Sequence, residues 1–108
     1  MGYNEGMSKF TDYTPYSALV IISERIHMCL KTLAQTHEVN IMRMSVEDDK
    51  VRYTFTVDDA MYLIVGYYRD ANVNEEWKVY CPKAWDNGYE PVTPSDLATG
   101  AFIKEGDL

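Results

Sequence analysis

The chain has 108 residues, 46% of them hydrophobic, and carries a net charge of −7 at neutral pH. This length suits one domain with one hydrophobic core, and the apolar content argues against disorder throughout the chain. A strongly negative protein repels phosphates at long range, so we expect no direct nucleic-acid binding by a basic face.

The N-terminal residues are polar and lack the hydrophobic segment of a signal peptide. We therefore predict a flexible tail at 1–13 and a single domain at 14–108. The longest strongly apolar stretch, 18–22, is far too short to cross a bilayer, so no membrane contact is expected. Two cysteines are too few for a disulfide framework, and Cys29 and Cys81 are interpreted as small buried residues of a reduced, cytoplasmic protein.

A long helix is predicted over residues 15–36. Thr14 can cap its start, and Pro15 at the first helical position gives up only a donor that would lack a partner there. Apolar residues then recur at spacings of three and four, which indicates one buried stripe: Leu19, Ile22, Ile26, Cys29, Leu30 and Leu33. A second apolar set, Val20, Ile21 and Met28, is either covered by other segments or meets another chain.

After residue 38 the apolar residues alternate one by one, which is typical of strands. Four strands are predicted, at 39–46, 51–57, 61–68 and 77–81, separated by acidic turns. Strict alternation places Met42, Met44 and Val46 on one face of the first strand. The third strand is apolar on both faces and is therefore expected at the centre. Gly66 within it indicates a bulge or a close approach of another backbone.

Residues 82–108 are predicted to be irregular, with one short helical turn. Thr93-Pro94 repeats the capping pattern seen before the long helix, and Gly100 can end the turn after Ala98. Phe102 and Ile103 are expected to fold back onto the sheet. The predicted fold class is therefore α+β: an N-terminal helix packed on a four-stranded antiparallel meander, followed by an irregular C-terminal segment.

Acidic residues are concentrated in the turns between the strands. Because alternate turns of a meander lie at the same end of the sheet, the first and third turns should sit together. Their acids are Glu47, Asp48 and Asp49 in the first turn and Asp70, Glu75 and Glu76 in the third. Such residues are common in turns for local reasons. The functional interpretation is an acidic docking surface for a basic partner.

Tyrosines and an arginine form a second candidate surface. The alternation places Tyr62 and Tyr68 of the third strand, Tyr80 of the fourth and Arg52 of the second on the face away from the helix. Tyrosine and arginine are favoured at interfaces because they bury a large area and keep a polar end. Two interpretations stay open: this face is covered by Trp85, Tyr89 and Phe102, or it binds a protein or a small polar ligand.

No cofactor or metal is expected. The stretch 70–81 resembles a calcium loop in its alternating oxygen ligands but lacks the glycine at the sixth position and the final glutamate. His27 and Cys29 lie two residues apart on a helix and point in different directions, so they cannot easily share an ion. Since no nucleophile–base pair or phosphate-binding loop is recognisable, the protein is not expected to be an enzyme.

The sequence therefore favours a non-catalytic interaction protein. Its most concrete form is an acidic inhibitor or adaptor that binds a larger, basic, nucleic-acid-handling enzyme. Compact acidic proteins of this type are common products of viruses and mobile elements. This is an analogy with a kind of protein and not a sequence match. The alternative is a small-ligand-binding module that uses the tyrosine-rich sheet face or a pocket between subunits. A homodimer is a further hypothesis, formed through an edge strand at 39–46 or 77–81 or through the spare face of the helix.

Overall fold

A computed structural model of the chain describes residues 15–67, 77–86 and 88–107, with the backbone alone for 15 and 16. Two helices and five strands make up this part of the chain. They are α1 Pro15–Leu33, β1 Val39–Val46, β2 Lys50–Val57, β3 Ala60–Tyr67, β4 Trp77–Tyr80, β5 Glu90–Val92 and α2 Pro94–Thr99.

The strands form one antiparallel sheet in the order β1-β2-β3-β4-β5, and α1 packs on one face of it. The predicted α+β meander with β3 at the centre is confirmed. The strand count of four is corrected to five, because the segment predicted to be irregular supplies β5. Neither α1 nor α2 combines the length and apolar character that a bilayer-crossing helix requires.

Helix α1 follows its predicted stripe but ends three residues earlier than expected. Its buried positions recur at spacings of three and four along one face: Leu19, Ile22, Ile26, Leu30 and Leu33. Beyond Leu33, the amides of Thr36 and His37 both donate to the Leu33 carbonyl, so the chain leaves the helix through a tight turn.

The hairpin between β2 and β3 determines which side chains enter the core. Asp58 and Asp59 both have positive φ, 50° and 75°, which is the two-residue turn that matches the twist of paired strands. This turn pairs Phe55 with Tyr62 across the two strands. Since Phe55 is fully buried under α1, Tyr62 is buried there as well. The predicted face for Tyr62, away from the helix, is wrong.

A bulge in β1 breaks the predicted alternation of that strand. Ile41 pairs with Phe55, but Arg43 pairs with Thr54, so Met42 is an extra residue. Ile41 before the bulge and Met44 after it therefore lie on the same side of the sheet, the side that carries α1. Strict alternation predicted that Ile41 and Met44 lie on opposite faces of β1. This prediction is wrong, because the bulge between them shifts the alternation by one residue.

The C-terminal segment closes the core beside α1. Thr93 caps α2 as predicted and also forms a capping box with Asp96, and Gly100 ends the helix with a φ of 85°. The rings of Phe102 and Trp85 contact Tyr62 edge-on, with ring centroids 5.0 and 6.2 Å from its own. The predicted return of Phe102 to the sheet is confirmed.

A buried carboxylate fixes this segment. Asp107 is almost fully buried, and it accepts hydrogen bonds from the Tyr62 hydroxyl, from Trp85 Nε1 at 3.0 Å and from the Lys104 amide at 2.9 Å. Three donors satisfy a charge that would otherwise be costly to bury. The carboxylate therefore joins the end of the described chain to the central strand of the sheet.

Gly66 lies where Ile22 of α1 packs against the central strand. A Cβ atom at this position would meet Ile22 Cγ2 at 2.7 Å and Trp77 Cδ1 at 3.1 Å. Real Cβ atoms do not come this close to their neighbours, so the helix can approach only because position 66 has no side chain. The close approach expected from the sequence is therefore present, although the atoms that come close belong to side chains and not to another backbone.

We predict that Gly66→Ala lowers the free energy of unfolding by about 1–3 kcal/mol, because the added methyl overpacks a filled core. Urea denaturation followed by circular dichroism measures the loss. Leucine has no methyl on Cβ, so the double variant Ile22→Leu/Gly66→Ala should recover part of it. A loss in the double variant equal to the sum of the single losses would contradict this explanation.

Tyr62 makes stability depend on alkaline pH. Burial raises the pKa of Tyr62 well above its ordinary value, and the hydrogen bond to Asp107 raises it further. The folded protein keeps this proton when unfolded tyrosine loses it near pH 10. The stabilisation from Tyr62 is therefore complete below about pH 10 and falls above it by about 1.4 kcal/mol per pH unit.

We expect Tyr62→Phe to cost about 1–2 kcal/mol at pH 7, since Asp107 loses one donor. Above pH 10 the difference between the wild-type protein and the variant should shrink, because the variant has no proton to retain at this position. Urea titrations at pH 7, 10 and 11 measure it. A difference that stays constant across this range would show that Tyr62 ionises alike in both states.

Candidate functional site

The first candidate surface is a strip of large apolar side chains on β1, which we call the edge strip. Its members are between 38% and 64% exposed: Ile41, Met42, Met44 and Val46. In the described sheet β1 pairs only with β2, so its other edge has no strand beside it. Exposed apolar side chains on a sheet edge are typical of a surface that another chain covers.

Two features of the fold leave the edge strip uncovered. The bulge at Met42 brings Ile41, Met44 and Val46 onto the α1 side of the sheet, where their cross-strand partners on β2 are all buried. Helix α1 packs over those β2 partners, while Ile41, Met44 and Val46 on β1 stay exposed. On β1 only Val39 packs against the core.

Helix α1 extends this apolar surface beyond the sheet. Met28 on α1 is 60% exposed, and with His27 and Ser23 it lines a shallow groove of about 410 Å³ that reaches Tyr53. The Tyr53 hydroxyl donates to the Ser23 carbonyl at 3.0 Å. Tyr53 is also the cross-strand partner of Met44 on β1. The groove therefore connects the exposed methionine of the helix to the edge strip.

The acidic turn after β1 is the second candidate surface. Glu47 lies 3.5 Å from Lys50 Nζ and 3.8 Å from an Arg52 nitrogen, so its charge is partly balanced. Asp48 and Asp49 are exposed and form no ion pair with another described residue. They lie directly beyond Val46, at one end of the edge strip.

The predicted partners of this turn, Asp70, Glu75 and Glu76, lie outside the described residues. Tyr67, the last described residue of β3, pairs with Lys50 just after the turn. The described residues thus place the exit of β3 at the same end of the sheet as the first turn. The grouping of all six acidic residues on one surface stays a prediction.

The third candidate surface is the sheet face opposite α1, and the described helices do not cover it. Arg52 and Tyr80 lie on this open face as predicted, since Arg52 pairs with Val65 and Tyr80 pairs with Leu63. Tyr62 does not, because it points into the core, and Tyr68 lies outside the described residues. Tyr89 contacts Tyr80 here, with ring centroids 5.3 Å apart.

A polar depression of about 340 Å³, which we call the sheet groove, lies on the open face. Its floor is a two-by-two array of donors, because Ser45 pairs with Arg52 and Arg43 pairs with Thr54 across β1 and β2. Such pairs stand about 5 Å apart across strands and about 7 Å apart along them. The described residues that complete the lining are Glu47 at one end, with Leu63 and Tyr89.

Arg52 is incompletely satisfied in the sheet groove. Its Nε atom is buried and has no hydrogen-bond partner among the described residues, while its terminal nitrogen has only the distant Glu47 carboxylate at 3.8 Å. A buried donor without an acceptor costs free energy, so this guanidinium favours an additional acceptor. The groove can therefore attract an anion although the protein as a whole is negative.

The sequence named the strand 39–46 only as one possible edge for a homodimer and did not identify its edge strip as a site. The other edge named for that role, 77–81, is not an edge, because β5 pairs with β4. The available signal was that β1 carries apolar residues at both odd and even positions, as a buried central strand does, although it is the first strand of a meander. The combination of an edge position with this composition indicates an uncovered surface.

Within residues 15–67, 77–86 and 88–107, no three histidine, cysteine, aspartate or glutamate side chains come together in a way that could hold a metal ion. No protein-family model, curated protein or solved structure matches this chain.

Proposed function

We propose that this protein is a non-catalytic interaction protein that binds a larger protein with a basic surface, as an inhibitor or an adaptor. The contact surface is the edge strip of β1 together with the acidic turn that follows it. The observation that carries the proposal is the exposure of four large apolar side chains on a strand with an open edge.

The open edge supports binding by strand addition. The outer edge of β1 presents backbone donors and acceptors that a strand of another protein can pair with, and the exposed side chains supply apolar area. Main-chain pairing gives affinity, while the side chains at alternate positions give specificity. Methionines suit such a surface because their flexible side chains adapt to the partner.

Charge argues for a basic partner. The chain carries −7 overall, and Asp48 and Asp49 place two carboxylates at the end of the edge strip, neither of them in an ion pair with another described residue. Opposite charges speed the encounter of two proteins and orient them before short-range contacts form. If the partner's basic surface is its nucleic-acid channel, the acidic turn competes with phosphate and the protein acts as an inhibitor.

The competing occupant of the edge strip is a second copy of this chain. The strip is nearly symmetric about its bulge, so antiparallel self-pairing would bring Ile41 opposite Met44 and Val39 opposite Val46 on the α1 side. The same register would bring Glu38 opposite Glu47, and each copy carries −7. This repulsion favours a basic partner over a homodimer.

The proposal is tested by capture of a partner from cell lysate with tagged protein, followed by affinity measurement with the purified partner. Met44→Lys should weaken binding at least about tenfold, because it places a charge in the apolar contact. Ala101→Lys adds the same charge at an exposed site far along the chain and should bind like the wild-type protein. Equal losses in both variants would contradict a contact at β1.

The role of the acidic turn is tested by association kinetics. Asp48→Lys/Asp49→Lys should slow association with the captured partner and reduce its dependence on salt, while Asp86→Lys should change both less. A partner that binds the two variants alike does not use this turn. A concentration-dependent dimer in light scattering that Met44→Lys abolishes would assign the edge strip to a second copy instead.

A further inference from the structure

We infer that the sheet groove binds a small anionic molecule, one with a carboxylate or phosphate group attached to an apolar or aromatic part. This site lies on the open face of the sheet, away from the side that carries Ile41, Met44 and Val46, and shares only Glu47 with the surface that the proposed function uses. Binding of an anion in the sheet groove therefore does not require the protein partner.

The donors of the groove converge on one position. Arg43 and Arg52 stand at opposite corners of the array, and the hydroxyls of Ser45 and Thr54 occupy the other two corners. Side chains at diagonal positions of paired strands lie about 7–8 Å apart, which is within reach of two arginines around one anion. Arginine pairs with carboxylate and phosphate through two parallel hydrogen bonds.

The guanidinium of Arg52 lacks acceptors in this groove. Its Nε is buried without a hydrogen-bond partner among the described residues, although the outer part of the side chain is exposed. An anion lying over the array would accept from the terminal nitrogens in that exposed part, one of which lies as far as 3.8 Å from the Glu47 carboxylate. Inorganic ions alone would leave the rest of the groove empty, since its volume of about 340 Å³ is at the lower end of small-molecule sites.

The remaining lining indicates the other half of the ligand. Leu63 and Tyr89 give the groove an apolar side next to the donors. The Tyr89 ring is exposed and rests on Tyr80, so one of its faces can contact a planar group. The site thus fits a molecule with a charged end on the arginines and an apolar end on these two residues.

Glu47 regulates access to the charged end. Its carboxylate lies 3.8 Å from Arg52 and 3.5 Å from Lys50, in a partly exposed position. An incoming anion competes with this carboxylate for the same guanidinium. Removal of the Glu47 charge should therefore strengthen binding, a gain that damage to the fold would not produce.

The test measures binding of phenyl phosphate and benzoate by isothermal titration calorimetry, with benzyl alcohol as the neutral analogue and inorganic phosphate as the anion without a ring. The wild-type protein should bind at least one aromatic anion, and bind it more tightly than benzyl alcohol and inorganic phosphate. Arg52→Gln should weaken this binding about tenfold, and Glu47→Gln should strengthen it up to about fivefold.

Lys83→Gln is the matched control, since it removes one positive charge from an exposed position outside the groove. It should leave the affinity within about twofold of the wild-type value. The inference is overturned if neither aromatic anion binds better than benzyl alcohol. It is also overturned if Arg52→Gln and Lys83→Gln cause equal losses, or if Glu47→Gln weakens binding.

Discussion

One helix is too narrow to cover a sheet of five strands, and this mismatch in width decides which side chains of the sheet stay exposed. A helix with its side chains is about 10 Å across, whereas five strands span about 19 Å. Helix α1 therefore covers only part of one sheet face, and the C-terminal segment covers a further part with Phe102 and Trp85. No described element buries the edge strip of β1. Among the described residues, the exposed edge strip is thus a direct consequence of how few elements lie over the sheet.

The C-terminal cover is held by a polar contact inside an aromatic cluster. Tyr62 stands at the centre of that cluster, where it stacks on Phe55 and meets the edges of two further rings. Its hydroxyl needs a partner at this depth, and Asp107 supplies one. The same carboxylate accepts from Trp85 and from the Lys104 amide, so one residue satisfies donors from three parts of the chain. Apolar burial stabilises the cluster, while the carboxylate determines where the segment docks.

Periodicity predicted α1 and the first four strands but missed the short β5, and two local details decided the faces. The stripe of α1 and the alternation of 51–57 are long regular patterns, and both were predicted correctly. The face of Tyr62 was not, because β3 is apolar on both sides and its own pattern does not determine its register. The two-residue turn at Asp58 and Asp59 contains that information, since it pairs Val57 with Ala60. No sequence pattern indicated the bulge at Met42, so the face that Ile41, Met44 and Val46 share could be recognised only in three dimensions. Arg52 and Tyr80 were placed correctly because the alternation of their strands is unambiguous.

The central claim is that the edge strip of β1 contacts another protein in the cell. The most direct measurement is site-specific photocrosslinking, with a photoreactive amino acid at Met42, which is 64% exposed, and separately at the exposed position Lys83. The experiment is done in cells where the protein naturally occurs, and the adducts are identified by mass spectrometry. The account predicts one discrete adduct from position 42, to a protein with a basic surface, and none of the same mass from position 83. Adducts that are the same from both positions, or that arise only from position 83, would contradict it.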